Sequence, residues 1–111
     1  MKYDILTIIH SASYGSSRAK EGLDYILTCS AYDQKIAILF IGDGRQCLKT
    51  AQDSTLLQQK NFSKQLSALE LYGIEDIFCD NLDFTPVINC HSCSQEQIKE
   101  LLQNSKHLVN F

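Results

Sequence analysis

Residues 36–41, Ile-Ala-Ile-Leu-Phe-Ile, have no polar face. Successive side chains of a strand point to opposite sides of its sheet, so a strand that is apolar at every position must be covered on both sides. This requirement favours a parallel sheet packed between layers of helix. The run then breaks into Gly42-Asp43-Gly44. That turn falls at the carboxyl end of the strand, where open α/β sheets carry their functional surfaces.

The flanking segments fit the same plan. Residues 3–9 (YDILTII) form a first apolar strand, followed by a turn-rich stretch in which Gly15 is free to take unusual dihedrals. A helix is predicted from about Ser17 to Tyr32, because Ala19, Leu23, Ile26 and Leu27 recur at helical spacing. Residues 45–60 mix helix formers with polar runs and read as a loop with a short helix. Phe62, Leu66, Leu69 and Tyr72 mark a second helix face, with Gly73 placed as its left-handed stop. Residues 74–79 read as a third strand and residues 86–90 as a fourth, which Pro86 opens where its missing donor is tolerable. Ser94 and Gln97 carry a capping-box pattern before a helix with Ile98, Leu101 and Leu102 on one face. Residues 107–111 supply a last strand. The alternation predicts one three-layer α/β domain over residues 1–111, with a mainly parallel five-stranded sheet and helices on both faces.

Charge narrows the function classes. The net charge is −3 and the basic residues are scattered, so the basic stripe of a direct nucleic-acid binder is missing. No apolar run approaches the ~18 residues of a membrane span. Asp4 stands where an export signal would need a basic region. Five cysteines, an odd number without such a signal, favour free thiols in a reducing cytoplasm over a disulfide framework.

Several motifs invite chemistry. Cys79 ends the third strand, where a half-exposed thiol is expected, but Asp76, Asp80 and Asp83 nearby would oppose its ionisation. Cys90-His91-Ser92-Cys93 is a C-x-x-C pattern just before a helix start, which fits a redox pair, half a zinc site or a plain loop with two thiols. A zinc site would have to recruit His10 and His107 from other strands, and neither a metal nor a cofactor is expected. Gly42-Asp43-Gly44 lacks the length and the Lys-Ser/Thr ending of a P-loop, so it reads as a tight turn. His10, beside Ser11 and Ser13, lacks the G-x-S-x-G setting of a hydrolase and reads as a polar strand end. Cys29 and Cys47 read as packing and loop thiols. Tyr3, Tyr14, Tyr25, Tyr32, Phe62, Tyr72 and Phe111 are many aromatics for a small core, so some are expected to face a partner.

Taken together, Glu21-Gly22-Leu23-Asp24, Phe40-Ile41-Gly42-Asp43-Gly44 and Leu71-Tyr72-Gly73-Ile74-Glu75 resemble the DsrE/DsrF-like family of small sulfur-relay proteins, closest to its TusC (DsrF-like) branch. The resemblance implies a flavodoxin-like architecture. It also implies a non-catalytic subunit of a cytoplasmic sulfurtransferase complex, which passes persulfide sulfur toward 2-thiolation of the tRNA wobble uridine. The implied partners are TusB-like and TusD-like subunits in a dimer of trimers, with the TusD-like subunit as principal sulfur carrier. Residues 72–79 resemble the segment of that carrier in which a persulfide-bearing cysteine ends the strand, which makes Cys79 this chain's candidate transfer thiol. Two alternatives stay open: a self-standing persulfide sulfurtransferase using Cys79, and a redox or metal module built on Cys90 and Cys93. The stretch after Cys79, Asp80-Asn81-Leu82-Asp83-Phe84, departs from the small-residue run and Arg-Gly pair usual in the family.

Overall fold

The computed structural model describes residues 2–10, 18–48, 65–81, 86 and 88–111. Five strands run through Tyr3–Ile9 (β1), Ile36–Phe40 (β2), Ile77–Cys79 (β3), His91–Ser92 (β4) and Ser105–Asn110 (β5). They form one sheet in the order β4-β3-β2-β1-β5, and every neighbouring pair is parallel. Parallel neighbours need crossover connections, and helices supply them. Arg18–Cys29 (α1) lies between β1 and β2, helical residues 65–71 (α2) precede β3, and Gln95–Gln103 (α3) joins β4 to β5.

The apolar strands are covered on both sides, as their sequence requires. On one face Ile5, Ile9, Ile36, Ile38, Phe40 and Ile77 pack with Ala19, Leu23 and Ile26 of α1 and with Leu66 and Leu69 of α2. On the other, Leu6, Ile8, Ala37 and Leu39 pack with Leu101 and Ile98 of α3. β1 and β2 pair from Ile5↔Ile36 to Ile9↔Phe40 and are almost wholly buried. β5 lies at one margin, tied to β1 through register and through a Lys106–Asp4 ion pair of 3.3 Å.

Local signals hold where they predict caps. Gly73 takes φ 76 beyond α2, the left-handed stop expected there. Ser94 accepts from Gln97 N while the Gln97 side chain accepts from Ser94 N, so both halves of the capping box form. The predicted first helix ends as α1 plus a 3-10 turn at Ser30–Tyr32, with Asp33 left-handed at φ 57. The segment expected as a loop with a short helix opens with 3-10 turns over Gly42–Leu48, and residues 49–60 lie outside the described residues.

Some boundaries move. The expected fourth strand at residues 86–90 is not one: of its described residues none is extended into the sheet, and the pairing falls at His91–Ser92 instead. β3 is shorter than residues 74–79, because Ile74 N still bonds back to Leu69 O and so closes α2. β5 begins at Ser105, earlier than expected, directly after Asn104, the C-cap of α3. Leu102 points away from the core while Leu101 is buried, since one residue along a helix turns the side chain by about 100°.

Candidate functional site

The carboxyl ends of β2 and β3 converge on a small group of residues from three segments. The group starts with Gly44. A Cβ there would lie 1.9 Å from the Ile9 carbonyl oxygen, so only glycine lets the turn after β2 press against the end of β1. Gly42 takes φ 55 in the same turn, and Gly44 N bonds Ile41 O at 2.9 Å. Gly42-Asp43-Gly44 is therefore the tight turn its sequence suggested.

That turn directs Arg45 toward the exit of β3. Its Nη1 donates to Asn81 O at 3.3 Å and its Nε donates to Gly42 O at 3.3 Å. The same Nε lies 3.4 Å from Asp80 Oδ1, in a part-buried ion pair. Cys79 Sγ donates to Asn81 O at 3.2 Å. One carbonyl oxygen thus accepts from both the thiol and the guanidinium. Cys79 is fully buried among the α1–α2 side of the core, not half exposed as its strand-end position suggested. The reason is β4, which lies alongside and pairs Cys79 with Ser92.

The C-x-x-C pattern is not a loop. His91 and Ser92 are β4 itself, in register with Phe78 and Cys79, and Cys93 N donates to Cys79 O at 2.8 Å. Extended backbone sends Cys90 and Cys93 to opposite faces of the sheet. Cys90 packs on the α1–α2 side and Cys93 on the α3 side. Three steps of extended chain span about 10 Å between Cα atoms, past the roughly 7 Å that a disulfide tolerates. Burial, with the Cys79 and Cys93 thiols adding to it, pushes the Cys90 thiol up to about 11. Burial, then Cys79, raises Cys93 as well. Both are poor nucleophiles at neutral pH, since the thiolate is the reactive form. All five cysteines lie among the described residues and none is bridged.

The strand order also decides where the histidines lie. β4 and β5 are opposite margins, so His107 stands about 19 Å across the sheet from the C-x-x-C pattern, at roughly 4.8 Å per strand step. His10, at the end of β1, bonds Asn110 Oδ1 through Nε2 at 2.8 Å. Its sequence neighbours Ser11 and Ser13 lie outside the described residues. Among the described residues, no three His, Cys, Asp or Glu side chains gather as metal ligands. A cleft of about 180 Å³ between β4 and α3, reaching Cys93 and Glu100, falls short of the roughly 300 Å³ at which ligand pockets begin.

The aromatic residues divide. Tyr3 is buried and meets Phe78 edge-on at 6.4 Å, and Tyr25 packs on Phe111 at 5.8 Å. Tyr32, Leu71 and Tyr72 are 70%, 87% and 58% exposed, where α1 and α2 finish. Tyr14 and Phe62 lie outside the described residues. Cys29 is half-buried against the core and Cys47 is buried, so the latter is not a loop thiol. Arg45 is the residue that sequence reasoning missed, since only folding brings it beside Asn81, 36 positions away. Among the described residues no helix is long and apolar enough to cross a membrane.

The residue pattern of the DsrE/DsrF-like family matches residues 4–81. The chain is 33% identical to a protein TusC homolog of Vibrio parahaemolyticus, over 94% of this chain and 95% of that protein. It is 30% identical to protein TusC of Buchnera aphidicola subsp. Acyrthosiphon pisum, with the same two coverages. The crystal structure of the ychN protein from E. coli superposes with a TM-score of 0.80 over 100% of both chains, at 11% identity, which marks a shared fold.

Proposed function

The chain belongs to the DsrE/DsrF-like family, and from that premise we propose that it is a TusC-like assembly subunit of a cytoplasmic sulfur-relay complex. In this reading its residues 1–111 act as one domain beside TusB-like and TusD-like subunits, in a dimer of trimers. The complex passes persulfide sulfur toward 2-thiolation of the tRNA wobble uridine, and the TusD-like subunit is the main carrier. The observation that carries the reading is the 33% identity to a TusC homolog across nearly the whole chain. The state of the thiols supports a subordinate chemical role: Cys79 is buried, and burial raises the pKa of Cys90 and Cys93.

Cys79 is the thiol of this chain that would carry sulfur. Its thiolate would attack the outer sulfur of a donor persulfide. The donor S–S bond breaks, the donor leaves as a thiolate, and Cys79 becomes Cys–S–SH without any external oxidant. The step requires the β3 exit to open, because the sulfur has no path to solvent as folded.

The test is mass spectrometry of the partner complex after loading with a cysteine desulfurase and cysteine, with wild type set against Cys79→Ser. A transferred sulfur adds about 32 Da. The expected result is a principal adduct on a partner subunit, with any adduct on this chain lost in Cys79→Ser. A chain that loads fully and turns over sulfur without partners would replace the assembly reading with that of a self-standing sulfurtransferase. Failure to co-purify with TusB-like and TusD-like chains would sink the complex.

A further inference from the structure

We propose that Arg45 is a positioning residue that latches Cys79 shut, and that Cys79 becomes reactive only when Arg45 releases the Asp80-Asn81 turn. The inference rests on the reading of Cys79 as this chain's transfer thiol, and it adds what controls that thiol.

The geometry carries it. Cys79 donates its S–H to Asn81 O, a bond that exists only while the sulfur is protonated, because a thiolate has no proton to give and would face a carbonyl oxygen at 3.2 Å. The same oxygen receives Arg45 Nη1 at 3.3 Å, so the guanidinium fixes the acceptor that holds the thiol. Arg45 is fixed in turn by Gly42 O at 3.3 Å, and it closes on the Asp80 carboxylate at 3.4 Å. The latch therefore ties the turn after β2 to the turn after β3, on either side of a fully buried sulfur.

In the sheet, β3 lies between β2 and the two-residue β4 at the edge, so opening of this margin does not require β1 and β2 to part. A partner that draws Arg45 or Asp80 into its own interface would free Asn81. The S–H bond would be lost and the sulfur exposed at the carboxyl edge.

The test is the alkylation rate of each cysteine in the full chain by N-ethylmaleimide at neutral pH, read peptide by peptide. Arg45→Ala is expected to speed Cys79 by about tenfold, the size of a lost charge-assisted hydrogen bond acting on a local opening. Arg45→Lys keeps the charge but not the fork and should fall between wild type and Arg45→Ala. Cys47, buried but outside the β3–β4 margin, should stay within about twofold, as expected when opening is local. An unchanged Cys79 rate in Arg45→Ala would overturn the latch. So would equal acceleration of Cys47, which signals a loosened fold, or a lysine variant as fast as the alanine one. Alkylation needs no sulfur donor. A released Cys79 that never accepts sulfur would thus refute the transfer reading and leave the latch standing, and a loaded Cys79 indifferent to Arg45 would do the reverse.

Discussion

The pairing of β1 with β2 and that of β3 with β4 are built from the same parallel geometry but differ in extent. The first runs in register from Ile5↔Ile36 to Ile9↔Phe40, and the second holds only Phe78↔His91 and Cys79↔Ser92. The central pair is almost wholly buried and carries one polar side chain in its midst, Thr7, whose Oγ1 has no hydrogen-bond partner among the described residues. The marginal pair gathers Cys79, Cys90 and Cys93. The long buried register thus lies at the centre, and the three thiols sit where the sheet has least to lose by opening.

The largest effect should come from the joint between the two regions. Gly44→Ala must push the turn off the Ile9 carbonyl, and a loss of at least about 4 kcal/mol, or failure to fold, is expected in denaturant unfolding. A loss under about 1 kcal/mol would show that the turn can move freely of β1. Next, Phe40→Ala in the centre should cost about 3–5 kcal/mol, while Phe78→Ala, half-buried at the margin, should cost about 2 kcal/mol. Equal losses would break the contrast between centre and margin. Ser94→Ala removes the cap of α3, the helix that leaves β4, and should cost about 1 kcal/mol. If the margin is the weaker region, native-state hydrogen exchange should report that loss at the Cys93 amide and leave the β2 amides unchanged.

The smallest effect depends on pH and tests the seam. Tyr3 begins β1 yet meets Phe78 of the margin. Burial, then the Asp76 charge and a hydrogen bond to it, push the Tyr3 hydroxyl from 10.0 up to about 12. The folded state therefore favours the neutral phenol. That contribution is complete below pH 10 and is lost as pH rises toward 12. Unfolding midpoints followed across this range should fall for wild type and fall less for Tyr3→Phe. Parallel curves for the two would place the alkaline loss elsewhere.

How much of this was legible in the sequence follows the same division. The centre could be read because long apolar runs such as residues 36–41 permit few solutions, and the capping box and Gly73 because their signals are local. β4 could not. Two residues carry no period, and Val87-Ile88 behind Pro86 looked more strand-like than His91-Ser92. Missing β4 lies behind two misplacements at the site, a C-x-x-C not seen to be part of the sheet and a Cys79 expected half exposed. Arg45 left no trace in the sequence, because its bond to Asn81 exists only once β2 and β3 are neighbours.

The contact between α1 and Phe111 has a bearing on how this chain can vary. The Phe111 ring lies so close over Gly22 that a Cβ there would stand 3.1 Å from it. A methyl group at position 22 needs the ring to give by a few tenths of an ångström, and anything larger needs a smaller residue at 111. Residues at nearly opposite ends of the sequence are thus bound into one unit of substitution. Among relatives that keep this fold, a side chain gained at position 22 should be matched by one reduced at position 111.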